Sequence, residues 1–166
     1  MPDLVWNDVA HYFEVDGSLR DAYVFGVSMV DWQHVVDVAR ARGWRLDYTA
    51  DGLPLPLPQK VSDIFTGREE TGTTLSIWPV ADIAVNTHFF ADDEIEFDFD
   101  PQELQGQDRL DVLCAFLRAM GSALNKPVVF TPENNPNRPL LTYIPSSDRV
   151  TAMPGSTAEQ GTALHA

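Results

Sequence analysis

The residues with the most capacity for chemistry lie in one short run, Asp92-Asp93-Glu94-Ile95-Glu96-Phe97-Asp98-Phe99-Asp100. Apolar and acidic residues alternate there. On a strand, Ile95, Phe97 and Phe99 turn to one side and Glu94, Glu96, Asp98 and Asp100 to the other. Alternate strand positions recur about 6.7 Å apart, so the carboxylates form a row. Such a row suits a basic surface on another protein, and Glu94, Glu96, Asp98 and Asp100 are the candidate partner-binding residues. The same pattern also describes the ordinary solvated face of an antiparallel sheet, whose charges guard an edge against aggregation. A calcium loop is a poor alternative, because the glycine-bearing turn of that motif is missing and strand spacing spreads the acids too far to close on one cation. No metal site is expected.

The histidines are His11, His34, His88 and His165, and none is paired with another at the i, i+3 or i, i+4 spacing of a helical metal site. His88 follows Asn86 and Thr87 in a strand-like run. As a general base it would need an orienting carboxylate and a nearby substrate group, so a structural or surface role is expected. The serines form no G-x-S-x-G elbow, and neither a phosphate-binding P-loop nor a G-x-G-x-x-G turn occurs. Cys114, the single cysteine, falls in an apolar helical run where a thiol behaves as a small hydrophobe. No catalytic or cofactor-binding residue is singled out, and the chain is not expected to be an enzyme. Trp6, Trp32, Trp44 and Trp78 read as core or near-core anchors.

The elements that must position these residues follow from periodicity. Trp6 to Phe13 forms a short start, Glu14 to Ser18 a turn, and Asp21 to Val27 a strand with Gly26 as a bulge. Ser28 with Asp31 makes a variant of the capping box, opening a helix whose Trp32, Val35, Val36 and Ala39 face the core; Arg40, Arg42 and Gly43 suit its end. Trp44, Leu46 and Tyr48 mark a half-buried strand, and Asp51-Gly52 a turn. Leu53-Pro54-Leu55-Pro56-Leu57-Pro58 cannot be a central strand, because each proline removes a ladder donor; an extended surface connector is expected. One helical turn lies between Val61 and the polar break at Glu69-Glu70-Thr71-Gly72. Strands at Thr73 to Trp78, Asp82 to Phe90 and Glu94 to Phe99 make a meander. A helix from about Asp108 to Leu124 carries Leu110, Leu113, Leu117, Met120 and Leu124 as one stripe, widened by Val112 and Phe116. Asn125 and Pro127 end it, and Pro127 to Thr131 pairs with Leu140 to Ile144.

The class implied is α+β, a mainly antiparallel sheet of about six strands with two principal helices packed on it. Residues 1–150 form a single domain and 151–166 a flexible C-terminal tail. The chain has 166 residues, with 11 Lys and Arg against 25 Asp and Glu, a formal charge of −14. That excess argues against direct binding to nucleic acid or an anionic membrane. The lone cysteine, and a start with no basic region followed by an apolar one, place the chain in the cytoplasm.

The pair of segments Asp21-Ala22-Tyr23-Val24 and Asp31-Trp32-Gln33 resembles small bacterial proteins of the immunity type, which neutralise polymorphic toxins. The likeness covers a short N-terminal segment and implies a non-enzymatic inhibitor, without assigning a functional residue. Toxins that act on nucleic acids present basic clefts, to which an acidic inhibitor would be steered. Two alternatives stand beside it. The expected order helix, three strands, helix, two strands is similar to that of type III secretion chaperones, implying a homodimer that holds an extended client. An enzyme would instead gather His88 and the acids of the sheet in a cleft.

Overall fold

The alternation in residues 94–99 sets the sidedness of the whole molecule. In a computed structural model, which describes residues 2–67 and 72–153, Glu94–Phe99 is a strand whose Ile95, Phe97 and Phe99 are buried and whose acids face away from the core. Phe97 and Phe99 meet Phe116 edge-on, at 5.1 and 5.9 Å between ring centroids. That contact brings in the longest helix, Gln107–Leu124, whose stripe Leu110, Leu113, Leu117, Met120 and Leu124 is buried as the spacing predicts.

In chain order the elements are α1 (Trp6–Val9), a 3-10 turn (Ala10–Phe13), β1 (Arg20–Phe25), α2 (Met29–Ala41), β2 (Arg45–Ala50), β3 (Leu53–Leu55), α3 (Val61–Gly67), β4 (Thr73–Val80), β5 (Ile83–Thr87), β6 (Glu94–Phe99), a 3-10 turn (Pro101–Leu104), α4 (Gln107–Leu124), β7 (Val128–Pro132), β8 (Leu141–Ile144) and β9 (Arg149–Ala152). The fold is α+β. The antiparallel sheet holds nine strands among the described residues, in the order β3-β2-β4-β5-β6-β1-β7-β8-β9. This corrects the expected count of about six. The observed order also puts β1 ahead of α2 and three strands after α4, unlike the element order on which the chaperone comparison rests.

Two of the nine, β3 and β9, have no counterpart among the strand segments marked by periodicity, and each has a physical reason to be hidden. The Asp51-Gly52 turn, with both φ angles positive, closes a hairpin that pairs Leu53–Leu55 with Ala50–Tyr48. Pro54 is tolerated because β3 is an edge, where one side of the strand needs no ladder donors. At the other edge, Asp148 with φ 52° turns the chain back so that Val150 pairs with Tyr143. β9 therefore runs past residue 150, where a tail was expected to begin; residues 154–166 of that expected tail, with His165, lie outside the described residues, as do Glu69, Glu70 and Thr71 of the expected break.

α2 forms as its cap dictates. Ser28 Oγ accepts from the Asp31 amide and Asp31 accepts from the Ser28 amide, completing the capping box. Its buried face is Trp32, Val35, Val36 and Ala39, and its outer residues Gln33 and Arg40 bond the carbonyls of Leu57, Pro58 and Gln59, lashing the proline-rich segment down. Asn125 ends α4 in the left-handed conformation, φ 54°. α2 and α4 lie on one side of the sheet. None of the helices among the described residues is long and apolar enough to cross a membrane.

Candidate protein-binding face

The side of the sheet away from α2 and α4 is built from alternate residues of each strand. Across β6 and β1, Asp98 stands opposite Asp21, Glu96 opposite Tyr23 and Glu94 opposite Phe25. The face continues through Asn86 of β5, then Thr74, Ser76 and Trp78 of β4, then Arg45 and Asp47 of β2. On the far side of β1, Val129 and Thr131 of β7 extend it.

Hydrogen bonds run along this face from strand to strand. Ser76 Oγ donates to Asn86 Oδ1 (2.6 Å), and Asn86 Nδ2 donates to Asp98 Oδ1 (3.0 Å). The other Asp98 oxygen lies 2.8 Å from His88 Nε2, and His88 Nδ1 lies 3.1 Å from Thr74 Oγ1. His88 thus has the orienting carboxylate that a catalytic role requires. A hydroxyl, an imidazole and a carboxylate in series can activate a nucleophile in a site that also holds a substrate. Here the three groups lie on the sheet face and tie β4, β5 and β6 together. Clefts occur elsewhere: about 600 Å³ beside Asp3, Asp111, Cys114 and Arg118, and about 360 Å³ between α2 and α4 beside His34 and Asp37. Burial pushes the Cys114 thiol up to about 12, so it stays protonated rather than nucleophilic. Among the described residues, no group of three or more His, Cys, Asp or Glu is placed to hold a metal ion.

The four candidate residues separate into two pairs. Asp98 is bonded to Asn86 and His88, and Asp100 caps the 3-10 turn through the Gln102 amide (2.9 Å). Glu94 and Glu96 project from the same face, and among the described residues neither carboxylate has a hydrogen-bond or ion-pair partner. Acids elsewhere do find arginines: Asp47 with Arg45, Asp82 with Arg109, Asp3 with Arg118.

Three residues outside the acidic run, Asp21, Tyr23 and Phe25, complete the face. Asp21 is 2% exposed, covered by the loop after β7, and its Oδ2 accepts from Tyr23 Oη (3.1 Å) and the Asn134 amide (2.7 Å). Burial, against those hydrogen bonds, raises its pKa. Tyr23 stacks on Phe25, with ring centroids 5.5 Å apart and planes at 7°. Residues 21, 23 and 25 alternate just as 94, 96 and 98 do, so their shared sidedness was visible; their placement beside β6 was not.

The packing has an electrostatic result. Burial, then the charges of Asp21, Glu94 and Asp98, push the Glu96 carboxyl from the ordinary 4.5 up to about 7, with His88 opposing. The folded protein therefore holds a proton that the unfolded chain releases between these values. The contribution of Glu96 to stability falls as pH rises from about 4.5 to 7 and stays at the lower level above. Glu96→Gln should remove this slope and stabilise the protein at pH 8 by about 1–2 kcal/mol, after discounting the full shift for the carboxyl's partial access to water. Urea midpoints of the two proteins at pH 5 and pH 8 test this; parallel pH dependences would refute it.

No protein-family model matches the chain, and neither a curated protein nor a solved structure is similar enough to count as a match.

Proposed function

We propose that the chain is a non-enzymatic protein-binding domain whose open sheet face receives a basic partner, and that this partner is a toxin which the domain neutralises. The observation that carries the reading is the pair Glu94 and Glu96: Glu96 is held against the charges of Asp21, Glu94 and Asp98, and among the described residues no lysine or arginine pairs with either carboxylate. Keeping like charges together on a half-desolvated surface is costly, and an incoming cation relieves that cost. The remainder of the −14 charge steers such a partner from a distance. A basic cleft made to hold phosphates is complementary to this row, which is how an inhibitor of a nucleic-acid-cleaving toxin would block it. The partner-binding residues of this reading are Glu94 and Glu96, with Asp98 as a positioned neighbour and Asp100 at the end of the row.

The test uses tagged wild-type protein and a Glu94→Lys/Glu96→Lys variant, both confirmed folded, in capture from a lysate at low and moderate salt. Wild type should retain a stoichiometric protein of high pI that is released as salt rises, and the variant should lose it by at least about tenfold, because like charge replaces unlike charge at the contact. Equal retention by both forms would defeat the reading.

A further inference from the structure

The acidic row is bordered by aromatic rings on both sides, and those rings are exposed. On the β1 side Phe25, 46% exposed, lies on Tyr23 and directly opposite Glu94. On the β5 side Phe90, 63% exposed, stacks on His88 with centroids 5.1 Å apart and planes at 21°. His88 itself bonds Asp98 and acts electrostatically on Glu96. Large apolar side chains set this openly beside charges are a recurrent feature of contact surfaces.

Phe90 is held there at a cost in backbone strain. The preceding residue, Phe89, has φ 57°, a left-handed conformation that is a rare choice for a bulky side chain. It turns the chain so that Phe89 is buried against Trp32 and Phe65, while His88 and Phe90 stack on the open face. Strain of this kind persists where the surroundings enforce it, and it collects at working sites.

The same face shows what fits beside an aromatic ring and an acid. Arg45, opposite Trp78 across β2 and β4, places its guanidinium 4.8 Å from the Trp78 ring centre while bonding Asp47 at 2.8 Å. The Phe25, Glu94, Glu96 and Phe90 end repeats those ingredients, a ring and a carboxylate on one face, with no lysine or arginine of the described residues filling them. A guanidinium satisfies both at once: its planar fork bonds a carboxylate and its flat face lies on a ring, whereas an ammonium is a compact, strongly hydrated charge.

We propose that the open sheet face between Phe25 and Phe90 is a docking surface for arginine side chains of a basic protein, each guanidinium stacking on a ring and pairing with Glu94 or Glu96. This rests on the reading of the face as the binding surface and adds the identity of the recognised group. Lysine-rich partners are bound more weakly at this end, because they gain the charge term without the stacking term.

The probes are two peptides of equal length and charge, one with arginine and one with lysine at every cationic position, titrated calorimetrically into the intact protein at low salt. Wild type should bind the arginine peptide about fivefold or more tightly than the lysine peptide. Phe25→Ala/Phe90→Ala removes only exposed rings and should erase that preference while leaving lysine binding nearly unchanged. Glu94→Gln/Glu96→Gln should weaken both peptides. Equal affinities in wild type, or a preference that survives loss of both rings, overturn the arginine assignment and leave the acidic-face reading standing. If neither peptide binds wild type, and the lysine substitutions leave capture intact, both fail.

Discussion

Trp32→Ala should destabilise the protein by about 3–5 kcal/mol, the usual range for emptying a buried tryptophan site. Trp32 is 1% exposed and sits between Phe89 and Phe65, at 4.9 and 5.4 Å between ring centroids. Its indole N–H donates to the Ala91 carbonyl (3.0 Å), so one side chain both fills the space under the β5–β6 corner and fixes its backbone. The loss should fall toward the upper end of that range, because the left-handed Phe89 is held in place by burial against these rings. With Trp32 gone, the strain at Phe89 has less to oppose it, and the corner should relax first. Hydrogen exchange at residues 88–93 should therefore accelerate more than exchange in β1 or β7, alongside a drop in the urea midpoint. Trp32→Phe keeps most of the volume but not the bond to Ala91, and should fall between wild type and alanine. A uniform change in exchange across the sheet would show that Trp32 supports the core generally and not the corner in particular.

That corner marks the limit of what could be read from residue order. Ser28 and Asp31 announced the start of α2, the Leu110 to Leu124 stripe announced the buried side of α4, and the 94–99 alternation located β6 without error. All three are local: each depends on residues a few positions apart. The face depends on pairings of distant segments. β1 lies between β6 and β7, so Asp21 comes to stand opposite Asp98, and nothing near either residue encodes that meeting. The residues around His88 point to a structural or surface role, and its contacts with Asp98 and Thr74 arise only after three strands have paired. Alternation alone presents the acids as four equivalent groups. The fold distinguishes them, since Asp98 and Asp100 are hydrogen-bonded within the chain while Glu94 and Glu96 have no such partner among the described residues. β3 was hidden because proline argues correctly against a central strand and says little against an edge.

Gly121→Ala should cost about 2–3 kcal/mol, although alanine is the better helix former by close to 1 kcal/mol. The reason lies in the crossing of α4 over β8. A Cβ at residue 121 would stand 2.2 Å from Cδ2 and 2.6 Å from Cε2 of Tyr143, and 3.0 Å from the Lys126 carbonyl oxygen. Tyr143 has little freedom to withdraw: it is 1% exposed and its hydroxyl donates to Asp148 Oδ1 at 2.7 Å. Burial, followed by that bond, pushes its pKa up to about 12, so the donor is retained through the neutral range. Asp148 also meets Arg118 of α4, which closes the ring of contacts around the phenol. Relief of the clash therefore requires α4 to lift from β8, and the strands β8 and β9 are the part of the sheet that would lose cover. A double-mutant cycle separates this from a general effect on the helix. In a Tyr143→Leu background the smaller side chain leaves room, and the Gly121→Ala penalty should shrink below about 1 kcal/mol or reverse sign as the helix propensity gain emerges. A penalty of the same size in both backgrounds would move the cause from the phenol ring to the Lys126 carbonyl, and with it the view that the Gly121–Tyr143 contact sets how closely the helix layer approaches this side of the sheet.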